Sequence, residues 1–282
     1  MSPKIVDCFI FYNELDLLEY RLSILYPIVD FFVICEASRT FVGNPKPFFY
    51  EENRDRYSCF ADKIIHVKMT DSDTQWIINP DKSREEQWMN ENTHRDGISR
   101  GVYRLLSEHK ICYDDFVTIC DLDEIPNPGF LESVKTKLLS PIVAKEGGMI
   151  LSMDFYYYNL NCIHKRNKWE LAKMVLVGAF VNLFRMKPQL LRHARFSLKI
   201  GRGGWHLSYF GDENFIKNKI QNFAHQELNV NEFTDSEKIR ERVANNRDLY
   251  DRPNEEFGFI SVNENMFLPK DWDKFEFFSG VI

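Results

Sequence analysis

The 282-residue chain has no run of about 20 apolar residues, the length a membrane-spanning helix requires, so no membrane span is expected. It has no basic head followed by an apolar run and a small-residue cleavage site. Lysine and arginine form no strong run and the net charge is -6, which argues against a nucleic-acid partner. No G-x-G-x-x-G follows the first apolar run, and no G-x-x-x-x-G-K-[ST] occurs anywhere. Those absences argue against a dinucleotide oxidoreductase and a P-loop NTPase. No C-x-x-C pair, internal repeat, low-complexity tract or obvious linker is visible.

What is present describes a folded chain. It is 44% hydrophobic and 28% charged, long enough to bury a large core as one domain. Its six cysteines include Cys8, Cys35 and Cys120 inside apolar runs, where a thiol packs as a small hydrophobe. Reduced thiols and a cytoplasmic location are therefore expected. Aromatics are abundant at 15%, chiefly as an aromatic core.

The first half alternates strand and helix. Val6–Phe11, Phe31–Cys35, Ile64–Lys68 and Phe116–Cys120 read as buried strands. Leu15, Leu18, Leu22 and Leu25 mark one face of a helix, with Asn13 as its expected N-cap. A long polar helix is predicted over Arg84–Ser107, and another from Asn127 or Pro128 to about Leu139. This pattern predicts an α/β fold with a doubly wound, mostly parallel sheet. The second half is more irregular. Strands are predicted at Met149–Tyr158, Val175–Met186 and Gly204–Tyr209, and helices at Asp212–Phe223 and Ser236–Asn245.

In such a sheet, ligands sit beyond the carboxyl ends of the strands. Asn13 and Glu14 follow the first strand, Glu36 the second, and Asp121, Asp123 and Glu124 the fourth, in FVTICDLDEIPNP. Like charges this close repel unless a cation sits among them. Two carboxylates one residue apart can share Mg2+ or Mn2+, which would bridge to a ligand's phosphate oxygens. A lone D-x-D is more often a polar turn capping the next helix. Its place after a buried strand, pinned by Pro126 and Pro128, favours a metal site and a nucleotide-sugar transferase.

Five collinear blocks then resemble glycosyltransferase family 17, the β-1,4-mannosyl-glycoprotein 4-β-N-acetylglucosaminyltransferase-like proteins that add a bisecting GlcNAc. They are DCFIFYNELDLLEYRL (Asp7–Leu22), VDFFVICEASRTFVGNPKP (Val29–Pro47), CDLDEIPNP (Cys120–Pro128), GRGGWHLSYFG (Gly201–Gly211) and KNKIQNFAHQE (Lys217–Glu227). The resemblance implies a GT-A fold over residues 1–282, with a nucleotide-sugar-binding half (1–140) and an acceptor and catalytic-base half (141–282). It also implies a UDP-sugar donor, Mn2+ or Mg2+, inversion at the anomeric carbon, and an oligosaccharide or glycoprotein acceptor. Animal members carry an N-terminal membrane anchor that is not visible in this sequence. A cytoplasmic enzyme of bacterial or viral kind is the corresponding expectation.

By that analogy Asp123 is the direct metal ligand, Asp121 serves the donor ribose or the metal, and His206 is a further ligand. Asn13, Glu14, Glu36, Lys46 and Arg95 are candidate donor contacts; Arg100 reads rather as a surface ion-pair residue. Inverting transfer needs a general base within reach of the acceptor hydroxyl. Asp212 and Glu213 at a helix start are the expected base, with Glu227 and Asp154 in reserve. Trp205 and Tyr156–Tyr158 are candidate sugar platforms or core. Two other functions stay open: a sugar-nucleotide nucleotidyltransferase, which needs an early glycine-rich basic loop, and a non-catalytic carbohydrate-binding protein.

Overall fold

The computed structural model describes residues 2–278. Ten strands form one mixed, mostly parallel sheet: β1 (Ile5–Phe11), β2 (Phe31–Ala37), β3 (Ile64–Met69), β4 (Phe116–Asp121), β5 (Glu124–Pro126), β6 (Gly148–Tyr157), β7 (Cys162–His164), β8 (Lys173–Leu176), β9 (Lys199–Ser208) and β10 (Phe257–Phe259). The order is β10-β7-β6-β8-β4-β1-β2-β3, with β9 paired to both β6 and β5. The block β3-β2-β1-β4 is wholly parallel, and β6 pairs in parallel with β9. Antiparallel β8 joins β4 to β6.

The two-residue period of the strands explains the two cores. In β2, Phe32 and Ile34 join one apolar cluster while Val33 and Cys35 join another. The helix Leu15–Leu25 covers the first face with Leu18, Leu22 and Leu25. The helix Ile98–Ser107 covers the second with Ile98, Val102 and Leu105. A sheet buried on both faces by helices needs strands that are apolar throughout, and the burial of β1 and β2 shows that. A third cluster joins Phe155, Tyr157, Tyr209 and Tyr250 to the C-terminal helices.

Four expected elements differ. The long polar helix is two helices, Glu86–Asp96 and Ile98–Ser107, meeting at Gly97. A Cβ there would lie 2.0 Å from Met69 Sδ and 2.8 Å from Cys35 Sγ, so any larger residue would force those side chains to shift. The strand expected over Val175–Met186 ends at Leu176, and Val177–Asn182 is helical. Val177 and Gly178 donate their amides to the carbonyls of Asp115 and Tyr113, which turns the chain off the sheet despite its β-branched composition. The helix after Asn127 stops at Lys135 rather than near Leu139. Glu14, not Asn13, holds the N-cap position of the first helix, without a side-chain cap bond.

The cysteines are free, with Cys8, Cys35, Cys120 and Cys162 buried. Among the described residues, no helix is long and apolar enough to cross a membrane.

Candidate active site

Parallel registry brings the strand ends together. Ile10 lies opposite Asp121, and Phe11 opposite Glu36. Beyond these ends opens a cavity of about 610 Å³, a volume suited to a ligand the size of a nucleotide sugar.

The acidic turn after β4 is built around cations of the protein itself. Arg21, fully buried in the first helix, pairs in bidentate fashion with buried Asp7 at 2.8 and 2.7 Å. Its Nη1 also donates to the carbonyls of Asp121 (2.9 Å), Leu122 (2.9 Å) and Glu124 (2.8 Å). One guanidinium thus fixes the backbone of the whole turn. The side chains are held separately. Asp121 receives Arg95 Nε and Nη2 (3.2 and 3.1 Å) and Arg192 Nη2 (3.1 Å). Glu124 receives Arg192 Nη1 at 2.6 Å, Trp169 Nε1 at 2.5 Å and the Asp121 amide at 2.8 Å. Burial alone would raise the Asp121 carboxyl, but Arg192 and Arg95 outweigh it and hold it below the usual range.

Asp123 stands apart from this network. Its Oδ2 accepts from Lys219 Nζ at 3.0 Å, and its Oδ1 lies 3.6 Å from His206 Nε2. Lys219 also reaches Glu14 at 3.4 Å. Burial pushes the Asp123 carboxyl up, yet Lys219 and His206 drive it far below its ordinary value, so it is a carboxylate at any working pH. The His206 ring stacks on Phe155 (4.7 Å) and lies 4.1 Å from Trp169, and its buried Nδ1 has no hydrogen-bond partner.

Among the described residues, no group of three or more His, Cys, Asp or Glu is placed to hold a metal ion. Mg2+ and Mn2+ bound with a diphosphate commonly keep only one or two protein ligands, the rest being phosphate oxygens and water. Asp123 and His206, facing each other across 3.6 Å, fit that smaller donor set. Asp121 does not, because both its oxygens are taken by Arg95 and Arg192.

The other expected residues divide. Glu14, Lys46, Arg95, Asp121, Asp123 and His206 line the cavity. Lys46 lies over the rings of Tyr12 and Phe49, and burial lowers its ammonium's affinity for protons. Glu36 does not line the cavity. It is buried beneath Lys46 (3.6 Å), bonded to His66 Nε2 (3.0 Å) and the Tyr50 amide (3.3 Å), so its acceptor capacity is spent on packing. Asn13 also lies off the cavity and gives its amide to Glu14 Oε2 at 3.1 Å. Arg100 makes a surface ion pair with Asp73 at 3.1 Å.

The expected base pair lies elsewhere. Asp212 caps the helix Glu213–Asn222 by accepting the Phe215 amide at 2.8 Å, and Glu213 faces Arg240 at 3.5 Å. Neither lines the cavity. Of the reserves, Glu227 lines it and pairs with His225 at 2.7 Å, whereas Asp154 is bound to Lys168 at 2.5 Å outside it. Trp205 is core, stacked on Phe267 with its indole N–H on the Phe267 carbonyl at 3.0 Å. Of the tyrosine triplet, Tyr157 alone lines the cavity.

Sequence reasoning missed Arg21, Arg192, Lys219 and Trp169. One signal was available: Asp7 sits inside an apolar strand, and a buried carboxylate demands a cation or donors.

The sequence is 28% identical to the rat β-1,4-mannosyl-glycoprotein 4-β-N-acetylglucosaminyltransferase over 126 residues, and 30% identical to the human protein of that name over 117. These matches cover 44% and 40% of this chain but only 22% and 20% of the relatives, so the matched region spans about a fifth of their length. Among solved structures, a 4-diphosphocytidyl-2C-methyl-D-erythritol synthase superposes with a TM-score of 0.41 and 10% identity, covering 72% of this chain and 90% of that one. The profile of glycosyltransferase family 17 matches residues 1–274, nearly the whole sequence, and the chain belongs to that family.

Proposed function

We propose that the protein transfers a sugar, N-acetylglucosamine by its relatives' name, from a UDP-sugar to a glycan hydroxyl with inversion at the anomeric carbon. The carrying observation is the turn Asp121–Glu124, clamped by Arg21 at the cavity floor, with Asp123 and His206 facing each other and Arg95, Arg192 and Lys219 around them. A divalent cation at Asp123 and His206 would neutralise the diphosphate and stabilise its charge as it leaves. The chain's own residues support the same event. Lys46 and Lys219 present ammonium groups to the cavity, and Arg95 and Arg192 add fixed positive charge beside it. Such preorganised cations favour a leaving group that gains negative charge in the transition state. Trp169, Phe155 and Tyr157 offer apolar faces on which a sugar ring can lie.

The test is calorimetry with a panel of nucleotide sugars, with and without Mn2+, followed by donor hydrolysis. UDP-N-acetylglucosamine is expected to bind more tightly with Mn2+ and to release UDP. Absence of UDP-sugar binding, or pyrophosphate release from a nucleoside triphosphate and a sugar phosphate, would overturn the proposal. The segment after β1, FYNELD, is not the glycine-rich basic loop that nucleotidyl transfer needs.

A further inference from the structure

The cavity has several carboxylates besides the acidic turn, and all but one are engaged in a way that disqualifies them as a proton acceptor. Glu14 faces Lys219 at 3.4 Å, Glu91 is bound to Arg95 at 2.7 Å, and Glu227 is largely exposed and paired with His225. Glu255 differs. It lines the cavity with its side chain 28% exposed, and, unlike the exposed pair of Glu227 and His225, its ion-pair partner among the described residues is a histidine with a fully buried side chain.

That histidine, His164, has a fully buried side chain. Its Nδ1 accepts the backbone amides of Arg166 (3.2 Å) and Asn167 (2.9 Å). A nitrogen that accepts cannot carry the proton, so in the neutral ring the N–H is on Nε2. Nε2 lies 2.9 Å from Glu255 Oε2, within ion-pair distance, and forms no hydrogen bond among the described residues. The buried ring therefore places its one N–H beside one oxygen of a cavity carboxylate and leaves the second oxygen for a ligand.

The placement suits the chemistry. His164 lies parallel to Phe155 (5.9 Å, 2°), and Phe155 also stacks on His206 (4.7 Å, 19°), which faces Asp123. The rings of His206, Phe155 and His164 thus form a row with Asp123 at one end and Glu255 at the other. Tyr157 and Tyr250 line the same cavity, and so does Trp169, whose indole N–H goes to Glu124.

We propose that Glu255, oriented by His164, is the general base of the transfer, and that Tyr157 and Tyr250, which line the same cavity, receive the acceptor sugar. The assignment rests on the proposed glycosyl transfer. In the step, an acceptor hydroxyl oxygen attacks the anomeric carbon of the donor sugar. The bond from that carbon to the diphosphate oxygen breaks, its electron pair leaving with UDP. The hydroxyl proton passes to the free oxygen of Glu255 and then to solvent. His164 is a positioning residue, since it acts only through Glu255.

The test uses the whole chain with UDP-N-acetylglucosamine, Mn2+ and two acceptors: water, and an N-glycan core oligosaccharide containing β-linked mannose. Glu255→Gln keeps size and hydrogen bonding but cannot take a proton. It is expected to lower kcat for both acceptors by about 10²–10⁴-fold, the usual share of general-base catalysis, with donor affinity unchanged. For His164, Gln keeps an N–H near the position of Nε2 while Leu does not. His164→Gln should exceed His164→Leu in kcat at equal thermal midpoint. A Glu255→Gln enzyme within about three-fold of wild-type kcat would overturn the assignment. So would a parallel loss of UDP-N-acetylglucosamine binding, which would make Glu255 a donor-site or folding residue. Equal kcat for the two His164 variants would remove the positioning role. A wild-type protein that binds no UDP-sugar would overturn the underlying transfer as well, and so is distinguishable.

Discussion

Replacing Arg21 with methionine tests whether the acidic turn is held from beneath. The substitution keeps the length of the stem and removes the guanidinium. It leaves Asp7, fully buried, with only the Thr118 hydroxyl at 2.7 Å as a side-chain partner, and leaves three turn carbonyls without their donor. Breaking a buried pair in this way costs about 3–5 kcal/mol. That is a large part of the roughly 5–15 kcal/mol by which a domain is stable. A second variant separates the causes. Asp7→Asn combined with Arg21→Met removes the stranded charge and keeps a partner for Thr118, so part of the loss should return. The carbonyls stay unpaired, however, and a deficit of about 1–3 kcal/mol should persist. Urea unfolding of the three proteins gives the stabilities, and calorimetry with UDP-N-acetylglucosamine and Mn2+ gives donor affinity. The double variant is expected to regain stability without regaining donor binding, because the turn has still lost its anchor. An Arg21→Met protein within about 1 kcal/mol of wild type would refute the clamp. A double variant no more stable than the single one would refute the stranded-charge account.

Three further outcomes follow from the same geometry. Asp123→Asn should abolish the enhancement of UDP-sugar binding by Mn2+ in calorimetry, and an undiminished enhancement would remove Asp123 from the cation site. Glu213→Gln should leave kcat unchanged, because Glu213 faces Arg240 outside the cavity; a large loss would restore it as the base. His94, buried and bonded through Nε2 to the Cys35 carbonyl at 2.9 Å, is pushed down to about 3, by burial first and Lys46 second. Unfolding frees it to take up a proton near 6.5, so stability should fall as pH drops from 6.5 towards 3, by about 2 kcal/mol at pH 5. In urea unfolding at pH 7 and pH 5, His94→Gln should lose that component of the slope, and an unchanged slope would exclude His94 as its source.

What could be read in the sequence, and what could not, follows the range of the interactions. The strands β1 to β4 were legible because burial on both faces imposes continuous apolar runs, and a parallel sheet puts their polar ends on one edge. That local logic found Asp121, Asp123 and Glu14 at the cavity. It failed at Glu36, which ends β2 but turns beneath Lys46 to pack against His66 and Tyr50. At Glu213, being at a helix start fixed the backbone but not the direction of the side chain, which faces Arg240 outside the cavity. The counter-charges of the acidic turn were invisible for a different reason. Arg192 and Lys219 lie 71 and 96 residues from the acids they hold, and Arg21 lies 100 from the Asp121 carbonyl it binds, with no spacing rule to connect them; Arg95, expected as a donor contact, pairs with Asp121 26 residues away. They also change the electrostatics. A turn of bare carboxylates would need a divalent ion simply to exist. This turn already has Arg95 and Arg192 on Asp121 and Glu124, so it can fold without one. In the proposed transfer, Asp123, with Lys219 and His206 as its neighbours, is the residue that would exchange a protein partner for a cation brought with the substrate. Structural and ligand-binding charges are thereby divided within four residues, and the division predicts that loss of the metal should weaken donor binding while leaving the stability of the fold unchanged.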